Sequence, residues 1–166
     1  MKQKWTGLFL DLEETLIDPI LDDNWQAASF IPKNVAKIRK FIDETNPELV
    51  QIFSFAIRGP SDDWAYRTNL HHRIEEQLDC RVTCSATRQE MIEACASVMN
   101  LHEGNITHGD LTRMWDKQLA FRMYGQYHFG KLKDTNLILI DDMVQRETTT
   151  FPKKKLSINF YNINEL

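Results

Sequence analysis

The fold is decided by residues 7–18, GLFLDLEETLID. The apolar run Leu8-Phe9-Leu10 stops at Asp11, and Asp11, Glu13 and Glu14 fall within four positions. A short apolar run bounded by polar residues predicts a buried strand. In open α/β sheets, ligands bind outside the carboxyl ends of such strands, where Asp11 would sit. Strand physics does not ask for clustered carboxylates there, since like charges in a partly buried site raise each other's pKa. A bound cation removes that objection; the plainer alternative is a strand followed by an acidic, solvated turn.

Working outward, Pro19 and Asp22-Asp23-Asn24 predict a loop or short flap. Pro32 starts a helix through residue 43, with Val35, Ile38, Phe41 and Ile42 on one face, broken by Asn46-Pro47. Residues 49–53 predict a second strand, ending at Ser54. Beyond the Gly59-Pro60-Ser61 turn, Ser61 or Asp62 caps a long helix to about residue 78. Residues 81–84 read as a short strand, and Thr87 with Glu90 forms a capping box for the next helix. A polar loop is expected over 102–110, a helix over 111–124 and an aromatic loop over 125–134. The second emphatic signal is Leu137-Ile138-Leu139-Ile140 running into Asp141-Asp142. A helix over 144–149 and a strand over 156–160 close the chain.

Strands alternating with helices predict an α/β fold: a single domain over residues 1–166, a three-layer Rossmann-like sandwich with a mainly parallel, five-stranded sheet. Residues 8–11 are expected in the middle, between 49–53 and 137–140, with 81–84 and 156–160 outside them. Composition agrees with a globular domain, at 42% apolar and 27% charged residues. Apolar runs are too short to cross a bilayer and no signal-like segment opens the chain, so a soluble, cytoplasmic protein without a membrane partner is expected. Three cysteines without zinc-site spacing read as thiols in a reducing compartment. The net charge of −4 argues against a pure nucleic-acid-binding module, and Lys153-Lys154-Lys155 reads as a solvated turn. Trp25, Trp64 and Trp115 read as packing residues rather than a base-stacking platform, and His71-His72 as surface residues.

Two buried strands delivering paired acids at one sheet edge require a cation between them. Oxygen ligands without a Cys/His cluster favour Mg²⁺ over zinc. In order, these features resemble the haloacid dehalogenase-like superfamily of phosphatases and phosphotransferases. Asp11-Leu12-Glu13-Glu14-Thr15 is similar to its first motif, Ser54 to its second, Lys117 to its third and Asp141-Asp142 to its fourth. Lys131 and Lys133 compete for the third motif, but they stand closer to the last acidic strand than is usual. The resemblance implies a phosphatase with Asp11 as nucleophile, Glu13 as acid–base catalyst, and Ser54 and Lys117 on the phosphoryl group. It also implies Mg²⁺ held by Asp11, Asp141, Asp142 and Glu13, the last through its main-chain carbonyl. Glu13 departs from the commoner Asp. There is no room for a large cap domain. The expected substrate is a phosphorylated small molecule or a nucleotide or polynucleotide end, given a faint likeness to the phosphatase half of polynucleotide kinase/phosphatases. A catalytically degenerate binding module is the alternative.

Overall fold

The computed structural model describes residues 4–99, 117–131 and 134–166. Five strands form one sheet in the order β2-β1-β3-β5-β4. They are β1 (Trp5–Leu10), β2 (Leu49–Ile52), β3 (Thr135–Asp141), β4 (Glu147–Phe151) and β5 (Leu156–Asn162). β1 runs parallel to β2 and β3, and β3 parallel to β5, while β4 is antiparallel to β5. The placement of residues 8–11 between the second strand and the 137–140 strand therefore agrees with the sequence reading.

Because side chains alternate across a strand, β1 and β3 feed two cores. Leu8, Leu10, Ile138 and Ile140 enter one, with Val35 and Ile38 of α1 (Pro32–Thr45), Tyr66 of α2 (Pro60–Asn69) and Ile74 of α3 (His71–Leu78). Phe9, Leu137 and Leu139 enter the other, with Met91 and Cys95 of α4 (Arg88–Val98) and Phe121 of α5 (Lys117–Phe129). Burial on both faces explains why the central strands are near-continuous apolar runs.

Local signals set several boundaries as expected. Pro32 opens α1, and Asn46 closes it in the left-handed conformation (φ 46°). The Thr87–Glu90 capping box is formed at the start of α4. Five expectations are corrected. The helix expected over 144–149 is replaced by β4, where Thr148-Thr149-Thr150 supplies β-branched residues that suit a half-exposed edge strand. Residues 81–84 contribute only the single parallel bridge Gln51↔Thr83, beside β2 as expected but too short to be a strand. The long helix to residue 78 is two helices interrupted at Leu70 (φ −127°), an arrangement in which Tyr66, Leu70, Ile74 and Leu78 all reach the core. Asp62 does not cap α2, because its carboxylate is taken by Arg58.

The fifth correction concerns the aromatic loop expected from residue 125. α5 continues to Phe129 with Gly125 inside it. A Cβ at Gly125 would lie 2.9 Å from Leu137 Cδ1 and 3.1 Å from Ile158 Cδ1, so the missing side chain lets the helix sit close on the sheet. Contact with the sheet outweighs the helix-weakening tendency of glycine. The expected loop over 102–110, the first part of the expected 111–124 helix, Trp115 and Lys133 lie outside the described residues. No described helix is long and apolar enough to cross a membrane. Cys80, Cys84 and Cys95 are free thiols.

Candidate functional site

The parallel register pairs Leu10 with Ile140, so the next residues, Asp11 and Asp141, emerge side by side at one edge of the sheet. Asp11 N–H donates to the Ile140 carbonyl at 3.1 Å, holding the two strand ends together. Asp11 is 7% and Asp141 1% exposed, a costly placement for two anions without a counter-charge. α5 supplies one. Lys117 Nζ lies 2.5 Å from Asp11 Oδ1 and 2.7 Å from Asp141 Oδ2. The ammonium also stands 5.4 Å from the Phe55 ring centroid. Thr15 Oγ1 donates to Asp11 Oδ2 at 3.1 Å, and Met143 N–H donates to Asp141 Oδ1 at 2.8 Å.

The turn that follows Asp11 is tightly wound. The Leu12 carbonyl accepts from the N–H groups of Thr15, Leu16 and Ile17 at 3.2, 2.8 and 3.0 Å. Glu14 takes a left-handed conformation (φ 63°), uncommon for a residue with a side chain. Beyond this turn the Glu13 carboxylate reaches the flap, where its Oε2 accepts from Ile20 N–H at 2.7 Å. Ser54, just past β2, is buried; its N–H donates to Ser85 Oγ and its Oγ accepts from Ala56 N–H, both at 3.1 Å.

All six side chains singled out in the sequence, Asp11, Glu13, Ser54, Lys117, Asp141 and Asp142, line one cavity of about 430 Å³. Glu14, Phe55, Ala56 and Met143 complete it. Of the competing lysines, Lys131 is exposed in the turn after α5 and does not line the cavity.

The charges within the cavity are unequal. Burial pushes the Asp11 carboxyl above its ordinary range, and Asp141 adds to this, against the pull of Lys117. Burial acts on Asp141 in the same direction, but the Lys117 charge and hydrogen bond, with the Met143 amide, outweigh it and hold Asp141 low. Burial together with the charges of Asp141 and Asp11 pushes Asp142 up to about 8. Lys117 keeps its proton: burial would weaken it, yet the two carboxylates raise it above the ordinary lysine value. At neutral pH the cluster therefore holds an ammonium, an ionised Asp141 and a proton on Asp142.

Carboxylate oxygens of Asp11, Asp141 and Asp142 lie within 4.8 Å of one another. Three hard oxygen donors without sulfur or imidazole fit Mg²⁺. The Glu13 carboxylate stands outside that group. Sequence reading missed Thr15 as a partner of Asp11 and Arg88 as the residue that fixes the loop after Ser54. Arg88 N–H donates to the Ile57 carbonyl at 2.9 Å and its Nε to the Phe55 carbonyl. The capping box is legible, but the carbonyl that the following arginine's side chain reaches, that of Phe55, lies 33 residues back in the chain. No protein-family model, curated protein or solved structure matches the chain, so the chemistry rests on these residues themselves.

Proposed function

We propose that the chain is a cytoplasmic, Mg²⁺-dependent phosphatase of the haloacid dehalogenase-like type, a three-layer Rossmann-like sandwich without a large cap. It would hydrolyse a phosphate monoester, a nucleotide or polynucleotide end among the candidates, through an aspartyl-phosphate on Asp11. The observation that carries this reading is the buried Asp11–Lys117–Asp141 array, with Asp142 alongside, at the carboxyl ends of two adjacent parallel strands.

The residues divide the chemistry of phosphoryl transfer, which calls for an in-line nucleophile, neutralised oxygens and a protonated leaving group. Asp11 attacks phosphorus as the ester oxygen departs, and Glu13 delivers a proton to that oxygen. Glu13 then takes a proton from water, whose oxygen attacks the aspartyl-phosphate and releases inorganic phosphate and free Asp11. Thr15 fixes the Asp11 carboxylate through its hydrogen bond, Ser54 donates to a phosphoryl oxygen, and Lys117 offsets developing negative charge. Mg²⁺ held by Asp11, Asp141 and Asp142 would supply charge neutralisation to the phosphoryl oxygens.

The bond from Ile20 N–H to Glu13 favours a second reading, in which the carboxylate serves only as a clasp for the flap and the cavity binds without turnover. Hydrolysis of p-nitrophenyl phosphate separates the two. The phosphatase reading expects Mg²⁺-dependent release of p-nitrophenol that EDTA and Asp11→Asn abolish. No release from the wild type over a broad panel of phosphate esters overturns it.

A further inference from the structure

The charges around the Asp11 cavity do not balance. Five of its lining residues carry carboxylates: Asp11, Glu13, Glu14, Asp141 and Asp142. Lys117 is the one cation among the described lining residues, and it is already shared between Asp11 and Asp141 at 2.5 and 2.7 Å. The arginines of the neighbouring loop and of α4 do not line the cavity and are engaged elsewhere. Arg58 donates to Asp62 at 2.7 Å and to Asp23 at 3.2 Å, and Arg88 Nε donates to the Phe55 carbonyl. The charge of a bound Mg²⁺ would be answered by that of the phosphoryl dianion, so the acidic excess of the walls remains for the leaving group to meet.

Glu14 is the part of that excess that neither the metal nor Lys117 accounts for. It is exposed, and its carboxylate has no partner among the described residues. Its main chain is fixed relative to Asp11 by the turn wound about the Leu12 carbonyl, and its N–H donates to the Ile17 carbonyl at 2.6 Å. Glycine takes the left-handed conformation found there (φ 63°) freely, so the backbone gives no reason for a charged side chain at this position. The rest of the lining is apolar on one side: Phe55, Ala56 and Met143, the last 79% exposed. An unpaired carboxylate beside apolar surface suits an organic ammonium, whose charge meets the acid while its carbon atoms cover the apolar wall.

Resting on the phosphatase reading above, we propose that the substrate is a phosphate monoester whose leaving alcohol carries an ammonium group, and that Glu14 selects it. A cleft walled by one sign of charge concentrates the opposite sign, and charges closer than about 10 Å still interact at ordinary ionic strength. Further negative charge on the leaving group, as in a nucleoside polyphosphate or the end of a polynucleotide, is repelled by the same wall. Among the candidate substrates, small amino-alcohol phosphates therefore stand ahead of nucleic-acid ends.

Phosphocholine and 3,3-dimethylbutyl phosphate have the same shape and differ in one positive charge, so the pair tests this. The readout is the ratio of their kcat/KM values with Mg²⁺ at low salt. Glu14→Gln should lower that ratio about fivefold, the upper end for one exposed ion pair. The pull of the ammonium on the leaving oxygen is common to both proteins and cancels in the comparison. Glu14→Gly, which suits the left-handed turn, should lower the ratio equally with the fold kept. Salt of about 1 M should narrow the difference between wild type and variants. A ratio that neither variant moves, or a terminally phosphorylated oligonucleotide preferred to phosphocholine, overturns the selection while leaving the phosphatase reading in place. Calorimetric titration of the wild type and Glu14→Gln with the same two esters keeps the readings apart. Tighter binding of phosphocholine that Glu14→Gln removes, without hydrolysis of any ester, upholds the selection while the phosphatase reading fails. Neither hydrolysis nor binding of these esters overturns both.

Discussion

Lys117 sits where two carboxylates would otherwise repel, so its removal leaves buried charge without a partner. Lys117→Ala should cost about 3–5 kcal/mol in chemical denaturation without metal. Added Mg²⁺ should narrow that deficit, because a cation can replace the missing ammonium. Asp142 adds a dependence on pH. Its carboxyl is raised to about 8 in the folded chain from an ordinary 3.8, so the folded state holds a proton that the unfolded state lacks over that window. Metal-free stability should fall as pH rises from about 4 to 8, and Asp142→Asn should flatten the fall. Because a bound cation requires the ionised carboxylate, Mg²⁺ binding below about pH 8 should release a proton. Calorimetric titration in two buffers of different ionisation enthalpy measures it. Glu13 distinguishes turnover from binding: Glu13→Gln should still accept phosphate from an activated ester but lose turnover by about 10²–10⁴-fold. Intact-mass spectrometry should then find phosphate trapped on Asp11; turnover like that of the wild type removes Glu13 from the mechanism.

At the scale of elements, the loop after β2 owes its shape to the start of α4. Thr87 Oγ1 accepts from Glu90 N–H at 3.2 Å, completing the cap that positions Arg88. Arg88 in turn fixes the Phe55 and Ile57 carbonyls of the loop that follows Ser54. Thr87→Ala should therefore destabilise the chain by about 0.5–2 kcal/mol in thermal or chemical melts. Hydrogen exchange should accelerate in residues 54–58 as well as in the first turn of α4. Exchange confined to α4 would show that the loop holds itself.

Across the whole molecule, legibility followed the range of the interactions. The strands ending in Asp11 and Asp141 were plain because burial on both faces writes an uninterrupted apolar run. Caps at Pro32, Asn46 and Thr87 were equally plain, being settled within a turn of chain. All six side chains read from the sequence as site residues line one cavity, since parallel pairing carries neighbouring strand ends to the same edge. What escaped depended on distant partners. Gly125 reads as a helix end until Leu137 and Ile158 are seen beside it, and Trp64 reads as packing until its exposure is known. His71 reads as a surface residue, yet its Nδ1 lies 2.7 Å from the Tyr66 hydroxyl and its side chain is only 17% exposed. Residues 144–149 were misread because a short run with few apolar residues has no period to follow.

β4 closes one side of the sheet, and an outermost strand is where a foreign chain can add itself. The exposed row here is five residues long, from Glu147 to Phe151. Arg146 precedes it, and Pro152 and Lys153 follow it, where the chain turns through a short 3₁₀ segment. An incoming strand would meet a charge at one end and a proline-led bend at the other. Such framing is a recognised defence against edge-to-edge aggregation.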